Sequence, residues 1–206
     1  MFTDMHIKHF CFRCFTNIMG NCNHKEEKKL ISQLADQTYF TEREVKQWYK
    51  GFKKDCPGGH LTERSFLRIY QQFFPNGDPS RFAQLLFRAF DENQDGNIEF
   101  DEFIRALSVT SRGSPEEKLL WAFKLYDLDS DGFITRDEMC DILDSISVMI
   151  GEETTENEKF NPRERVNQIF QELDTNQDNR LSLEEFLKGS TSDPKIAQTL
   201  SLHRIG

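Results

Sequence analysis

The sequence predicts an all-α protein of four helix–loop–helix units paired into two lobes, and three observations carry that expectation. A twelve-residue segment recurs in register, as DENQDGNIEFDE from Asp91, DLDSDGFITRDE from Asp127 and DTNQDNRLSLEE from Asp174, with a weaker copy, KDCPGGHLTERS, from Lys54. Apolar residues at helical spacing flank the segments: Phe82, Leu85, Leu86, Ala89 and Phe90 precede the second, and Phe100, Phe103, Ile104 and Leu107 follow it. Capping residues stand where each helix would begin.

The helix starts follow in chain order. Thr41 and Glu44 form a capping box, in which hydroxyl and carboxylate satisfy backbone donors that a helix start leaves unpaired. Asp78-Pro79, Ser114-Pro115, Asn161-Pro162 and Asp193-Pro194 each set a capping residue before a first-turn proline. Helices are therefore expected to begin near residues 41, 79, 115, 162 and 194. Ser111-Arg112-Gly113-Ser114 reads as a hinge, and Gly151 to Phe160 as a solvated acidic loop. The chain then divides into an N-terminal extension (1–32), a first pair of units (33–110), the hinge (111–114), a second pair (115–192) and a C-terminal helix and tail (193–206).

The repeated segments have the chemistry of a calcium loop, the EF-hand. Calcium is a hard cation that takes about six to eight oxygens, drawn here from positions 1, 3, 5, 7, 9 and 12, with a sharp turn at position 6. The residue at position 8 is aliphatic and pairs with its twin loop in a short antiparallel β-bridge. In the second loop the ligands are Asp91, Asn93, Asp95, the Asn97 carbonyl, Glu99 and Glu102, with Gly96 at the turn and Ile98 in the bridge. The third loop offers Asp127, Asp129, Asp131, the Phe133 carbonyl, Thr135 and Glu138. The fourth offers Asp174, Asn176, Asp178, the Arg180 carbonyl, Ser182 and Glu185, but Asn179 replaces the turn glycine. Asparagine tolerates the left-handed conformation better than most residues, so this loop is still expected to bind. The first loop is not: Lys54 replaces the first acid, Cys56-Pro57 fills positions 3 and 4, and Ser65 replaces the closing glutamate. Gly59 and Leu61 keep their register, so it should still fold and pair. Three calcium ions are expected. One acidic loop could be an ordinary turn between helices; three in register with apolar flanks form a specific motif.

Composition excludes other classes. The formal net charge of −9 argues against a nucleic-acid grip, which needs clustered Lys and Arg. No apolar stretch reaches the roughly 20 residues of a membrane span, so any membrane contact would be peripheral. The odd count of five cysteines (Cys11, Cys14, Cys22, Cys56 and Cys140) does not form a secreted disulfide framework, and a cytoplasmic location is expected. The helix–loop–helix units consume almost the whole chain and leave no domain for an enzyme, nor is there a Gly-rich phosphate loop or a nucleophile elbow.

YFTEREVKQWYKGFKKDCPGG (Tyr39 to Gly59), IYQQFFPNGDPS (Ile69 to Ser80), the stretch Ala106 to Met139 and the ending DPKIAQTLSL resemble the neuronal calcium sensor family, most closely its frequenin branch. The resemblance runs from about Gln33 to Leu202, and the Cys56-Pro57 disabled first loop is a mark of that family. It implies calcium in the second to fourth loops and an apolar groove that holds helices of partner proteins, among them ion channels, lipid kinases and receptor kinases. Many members carry an N-terminal myristoyl group on a glycine after the initiating methionine. This chain begins Met1-Phe2 instead; Met19-Gly20-Asn21-Cys22 reads as an internal start, with Gly20 a candidate for myristoylation and Cys22 for palmitoylation. His24 stands where that motif usually has Ser or Thr. The rival readings are an extension whose cysteines and aromatics touch membrane, and a disordered tail.

The 19 phenylalanines suffice for several helical cores with apolar surface left over. Groove candidates are Trp48, Phe52, Phe66, Ile69, Tyr70, Phe82, Phe87 and Leu107, each of which could equally be core. The expected function is a sensor that captures amphipathic partner helices when calcium binds. The alternative is a passive buffer that binds calcium and barely opens.

Overall fold

Local capping chemistry sets most of the helix starts. In the computed structural model, which describes residues 24–151 and 161–192, nine helices and four short strands follow one another. Helix α1 (His24–Gln37) buries Ile31 and Leu34, three residues apart on one face, and so crosses the boundary drawn at residue 33. Helix α2 (Glu42–Asp55) begins at the Thr41–Glu44 capping box. Strand β1 (His60–Thr62) and helix α3 (Glu63–Phe73) complete the first unit.

The second unit is α4 (Ser80–Phe90), β2 (Asn97–Glu99) and α5 (Phe100–Arg112). Its first helix starts one residue later than the Asp78-Pro79 signal implies. Pro79 is the N-cap and makes no side-chain cap, while Asp78 Oδ1 accepts the Ser80 N–H at 2.9 Å. The third unit is α6 (Pro115–Tyr126), β3 (Phe133–Thr135) and α7 (Arg136–Ile150). The fourth is α8 (Pro162–Leu173), β4 (Arg180–Ser182) and α9 (Leu183–Ser192). Ser114 with Glu117 caps α6 by a capping box, and Asn161 caps α8 by accepting from Arg163 and Glu164. The candidate lipidation positions Gly20 and Cys22, most of the Gly151 to Phe160 loop and the expected helix near residue 194 lie outside the described residues.

The loops pair two by two. Strands β1 and β2 run antiparallel with Leu61 opposite Ile98, and β3 and β4 with Ile134 opposite Leu181. All four bridge residues are buried, so each sheet pins two loops to the core beneath it. The disabled first loop thus keeps its structural half of the motif.

The buried side chains form one connected cluster through both lobes. Edge-on aromatic contacts run through it, such as Phe52 on Phe100 (5.5 Å between ring centroids) and Phe123 on Phe186 (5.5 Å). Burying such a ring stabilises by roughly 1.5–3 kcal/mol, and aromatic pairs add about 0.5–1.5 kcal/mol. The joint between lobes is short: α5 stays helical to Arg112, Gly113 caps it, and Ser114 already caps α6. Arg112 reaches back to α2, donating to Glu44 (2.5 Å) and to the Tyr39 carbonyl (2.9 Å). Its guanidinium beside Glu44 brings that carboxyl down to about 2.

Helices α8 and α9 cross closely at Gly189, where an added Cβ would lie 1.9 Å from Leu173 Cδ2. Helix propensity alone would favour alanine by about 1 kcal/mol. Leu173 is buried and cannot swing into solvent, and such overpacking costs about 1–3 kcal/mol. Gly189→Ala is expected to lower the denaturant midpoint, with a net loss of up to about 2 kcal/mol; a raised midpoint would show that the crossing has slack.

Candidate metal centre

Each of the last three loops is held by the same net of backbone N–H groups donating to acidic side chains. The first acid takes two donors. Asp91 accepts from Asp95 (3.2 Å) and Gly96 (2.9 Å), Asp127 from Asp131 (3.1 Å) and Gly132 (3.1 Å), and Asp174 from Asp178 (3.2 Å) and Asn179 (3.0 Å). The position-3 side chain accepts from the position-5 N–H in all three, at 2.9 to 3.1 Å. Asp95, Asp131 and Asp178 then accept from Asn97, Phe133 and Arg180, whose carbonyls are the candidate position-7 ligands. Each carboxylate keeps further lone pairs for a cation.

The closing glutamate bridges the two ends of its loop. Glu102 accepts from Glu92 (2.9 Å) and Asn93 (3.1 Å) with one oxygen, and from Glu99 (2.9 Å) with the other. Glu138 accepts from Leu128 (2.9 Å) and from Thr135 N (2.7 Å), and Glu185 from Thr175 (3.1 Å) and Ser182 N (3.1 Å). Each of these residues lies in the first turn of its exiting helix, so loop and helix share one carboxylate.

Backbone conformation permits the turn. Position 6 is left-handed in every loop: Gly59 (φ 87°), Gly96 (83°), Gly132 (89°) and Asn179 (64°). Asn179 thus makes the same bend as the glycines, and the same bond to the first acid as Gly96 and Gly132.

The electrostatics suit a cation. Asp127, Asp129 and Asp131 each bring a carboxylate oxygen within 4.8 Å of the others. Burial raises the Asp127 carboxyl above its ordinary value, and the neighbouring Glu138 and Asp131 add to the rise. Glu99 is pushed up to about 7, first by its hydrogen bond with Glu102, then by burial and the charges of Asp95 and Glu102. Crowding of like charges disfavours the ionised form, and a cation placed among them relieves it. In the fourth loop burial also pushes Glu185 up, but bonds from the Ser182 and Thr175 hydroxyls and from backbone N–H groups prevail and hold it at about 2. An all-oxygen set of acids, amides and carbonyls fits calcium, and the crowding supplies the reason to bind it.

Position 9 has a role that ligand counting misses. Thr135 and Ser182 donate their hydroxyls to the closing glutamates, each at 2.7 Å, and accept those residues' N–H groups. They are N-caps of the exiting helices, legible in the sequence as the T-x-x-E and S-x-x-E of a capping box. The first loop lacks the acidic net: Gly59 donates to the Cys56 carbonyl (2.9 Å), and Ser65 N donates to Thr62 (3.3 Å) where the others have a glutamate.

The groove candidates separate into two groups. Trp48, Phe52 and Ile69 line a cleft of about 290 Å³ in the first lobe, together with Leu61 and Phe103. Phe66, Phe82, Phe87 and Leu107 are 1–4 % exposed and belong to the core, and Tyr70 is half-buried among Phe66, Phe74 and Phe82. Their helical spacing could not separate an open face from a closed one. No helix among the described residues is long and apolar enough to cross a membrane.

Models of the EF-hand domain pair match residues 57–110 and 116–191. The chain is similar to "Neuronal calcium sensor 1" of Lymnaea stagnalis and of Aplysia californica. Each is 58% identical over 185 residues, covering 89% of this chain and 97% of the relative.

Asn179 gives a direct test of the loop geometry. Alanine in a left-handed position costs about 1–2 kcal/mol, whereas glycine costs almost nothing there. Asn179→Ala should destabilise the cation-free chain by about 1 kcal/mol in chemical denaturation, and Asn179→Gly should match or exceed the parent. Equal losses in both variants would mean that the asparagine side chain, not its backbone, matters at this turn.

Proposed function

Because the chain belongs to the neuronal calcium sensor family, we propose that it is a calcium sensor that binds three ions through its second to fourth loops and regulates partner proteins without itself being an enzyme. The observation that carries this is the repeated net: three loops with the same acid spacing, the same N–H donors and the same bridging glutamate. The ligands proposed are Asp91, Asn93, Asp95, Glu99 and Glu102 with the Asn97 carbonyl; Asp127, Asp129, Asp131, Thr135 and Glu138 with the Phe133 carbonyl; and Asp174, Asn176, Asp178, Ser182 and Glu185 with the Arg180 carbonyl. Bound calcium would supply positive charge among crowded carboxylates, six charges in all against a formal −9.

The protein's own part is mechanical. Glu102, Glu138 and Glu185 tie each loop to the first turn of α5, α7 and α9, so a change in the loop changes the tilt of the helix. Reorientation of this kind widens the apolar cleft. The cleft edged by Trp48, Phe52 and Ile69 suits the apolar face of an amphipathic helix from a target protein. The proposed location is cytoplasmic, with peripheral membrane contact through Gly20 and Cys22 if they are acylated.

Calorimetry on chelator-stripped protein should count three ions with dissociation constants on the order of 10⁻⁷ to 10⁻⁵ M. Glu138→Gln should leave two, because the amide cannot offer two charged oxygens, and Ser65→Ala should leave three. An apolar-surface dye should brighten across the same titration. Four ions, or a loss in Ser65→Ala equal to that in Glu138→Gln, would show the loops to be wrongly assigned. A flat dye signal with three ions bound would make the protein a buffer.

A further inference from the structure

We propose that Gly77 and Gly151 form a latch between the lobes, through which the helix leaving the third loop fixes the position of the helix entering the second. The proposal rests on the calcium reading of those loops.

The turn between the first two units, Phe74 to Asp78, lies against the end of α7. The Asp78 N–H donates to the Val148 carbonyl at 3.0 Å. A Cβ on Gly77 would lie 2.1 Å from the Met149 carbonyl oxygen, and one on Gly151 would lie 2.5 Å from the Asn76 carbonyl oxygen. Both obstacles are backbone atoms, which cannot rotate aside as a side chain can. Two glycines from different lobes therefore let two backbones touch. Gly151 also has φ 68°, the left-handed cap that ends α7 and turns the chain at this contact. The α7 side is firmly seated, since Met149 is completely buried.

From the latch, α4 runs back along α7 and is fastened again. Arg81 pairs with Asp141 through both carboxylate oxygens. At the far end Arg88 donates to the carbonyl of Leu128, whose own N–H donates to the closing Glu138. Lys124 faces Glu92 at 3.8 Å, and the Phe90 ring meets Trp121 edge-on at 5.8 Å. Helix α4 leads into Asp91, the first ligand of the second loop, and the first turn of α7 carries the glutamate that closes the third. A tilt of α7 started at Glu138 must then carry the Asn76–Asp78 turn, and with it α4. An unlatched linker would let each lobe respond alone.

The test uses the full chain carrying Glu185→Gln, so that only the second and third loops report. Two-site calcium titrations give the factor by which one ion raises affinity for the other. That factor should be at least about fivefold in the parent, the lower end of ordinary coupling. In the Gly77→Ala variant it should fall to about one, with two ions still bound. Arg81→Gln, at an exposed pair that does not threaten folding, should lower the factor part-way, and it decides the matter if Gly77→Ala fails to fold. A parent factor of one, or a factor unchanged in a folded Gly77→Ala or in Arg81→Gln, overturns the latch. A parent that binds neither ion overturns the calcium reading instead.

Discussion

A carboxylate that holds two separate backbone segments at once is the constraint on which the rest of this molecule depends. Glu138 accepts from Leu128 at the head of its loop and from Thr135 at its tail, while its own backbone is the first turn of α7. Glu102 and Glu185 repeat the arrangement. Buried or crowded carboxylates are costly unless hydrogen-bonded and matched by positive charge. The N–H groups meet the first need within the chain. The second need is what makes the loop responsive, because the missing charge has to come from outside.

The β-bridges and the core convert that local constraint into a global one. Leu61, Ile98, Ile134 and Leu181 pin the loops in pairs, and the first loop remains in its pair although its ligand positions carry Lys54, Cys56 and Ser65. Its place is structural: an EF-hand needs a partner to bury its bridge residue. One apolar cluster then joins the lobes, and the Arg112–Glu44 pair and the Tyr39–Glu117 hydrogen bond (2.7 Å) brace the short joint from the outside. Two lobes packed in this way offer few independent motions, which favours concerted over separate responses.

Elements governed by local chemistry were legible in the sequence. The twelve-residue repeat gave the unit count, the bridge residues and the pairing, and the left-handed turn at Asn179 followed from asparagine's tolerance of positive φ. The Thr41–Glu44 capping box located α2, and Ser114 before Pro115 located α6. Where two distant segments decide the outcome, the sequence was silent. Phe66, Phe82, Phe87 and Leu107 have the same spacing as cleft residues, and only the packing of the folded lobe, with α4 against α3 and α5 against α2, closes over them. Nothing in the residues around Gly77 and Gly151 signals that the two backbones meet. Thr135 and Ser182 could be read as ligands or as caps, because the ligand spacing and the capping-box spacing coincide at those positions.

In the proposed mechanism, loop charge is converted into helix tilt in three units and not in the first. Paired spin labels on the entering and exiting helices of each unit would measure this directly, as distances in chelator and in saturating calcium. A shift of several ångströms is expected between α4 and α5, between α6 and α7 and between α8 and α9, reflecting an interhelical change of roughly 30–40°. Between α2 and α3 only what is transmitted from neighbouring units is expected, and that part should vanish when Glu102, Glu138 and Glu185 are all replaced by glutamine. Distances that stay fixed in all four units while calcium binds would contradict the account.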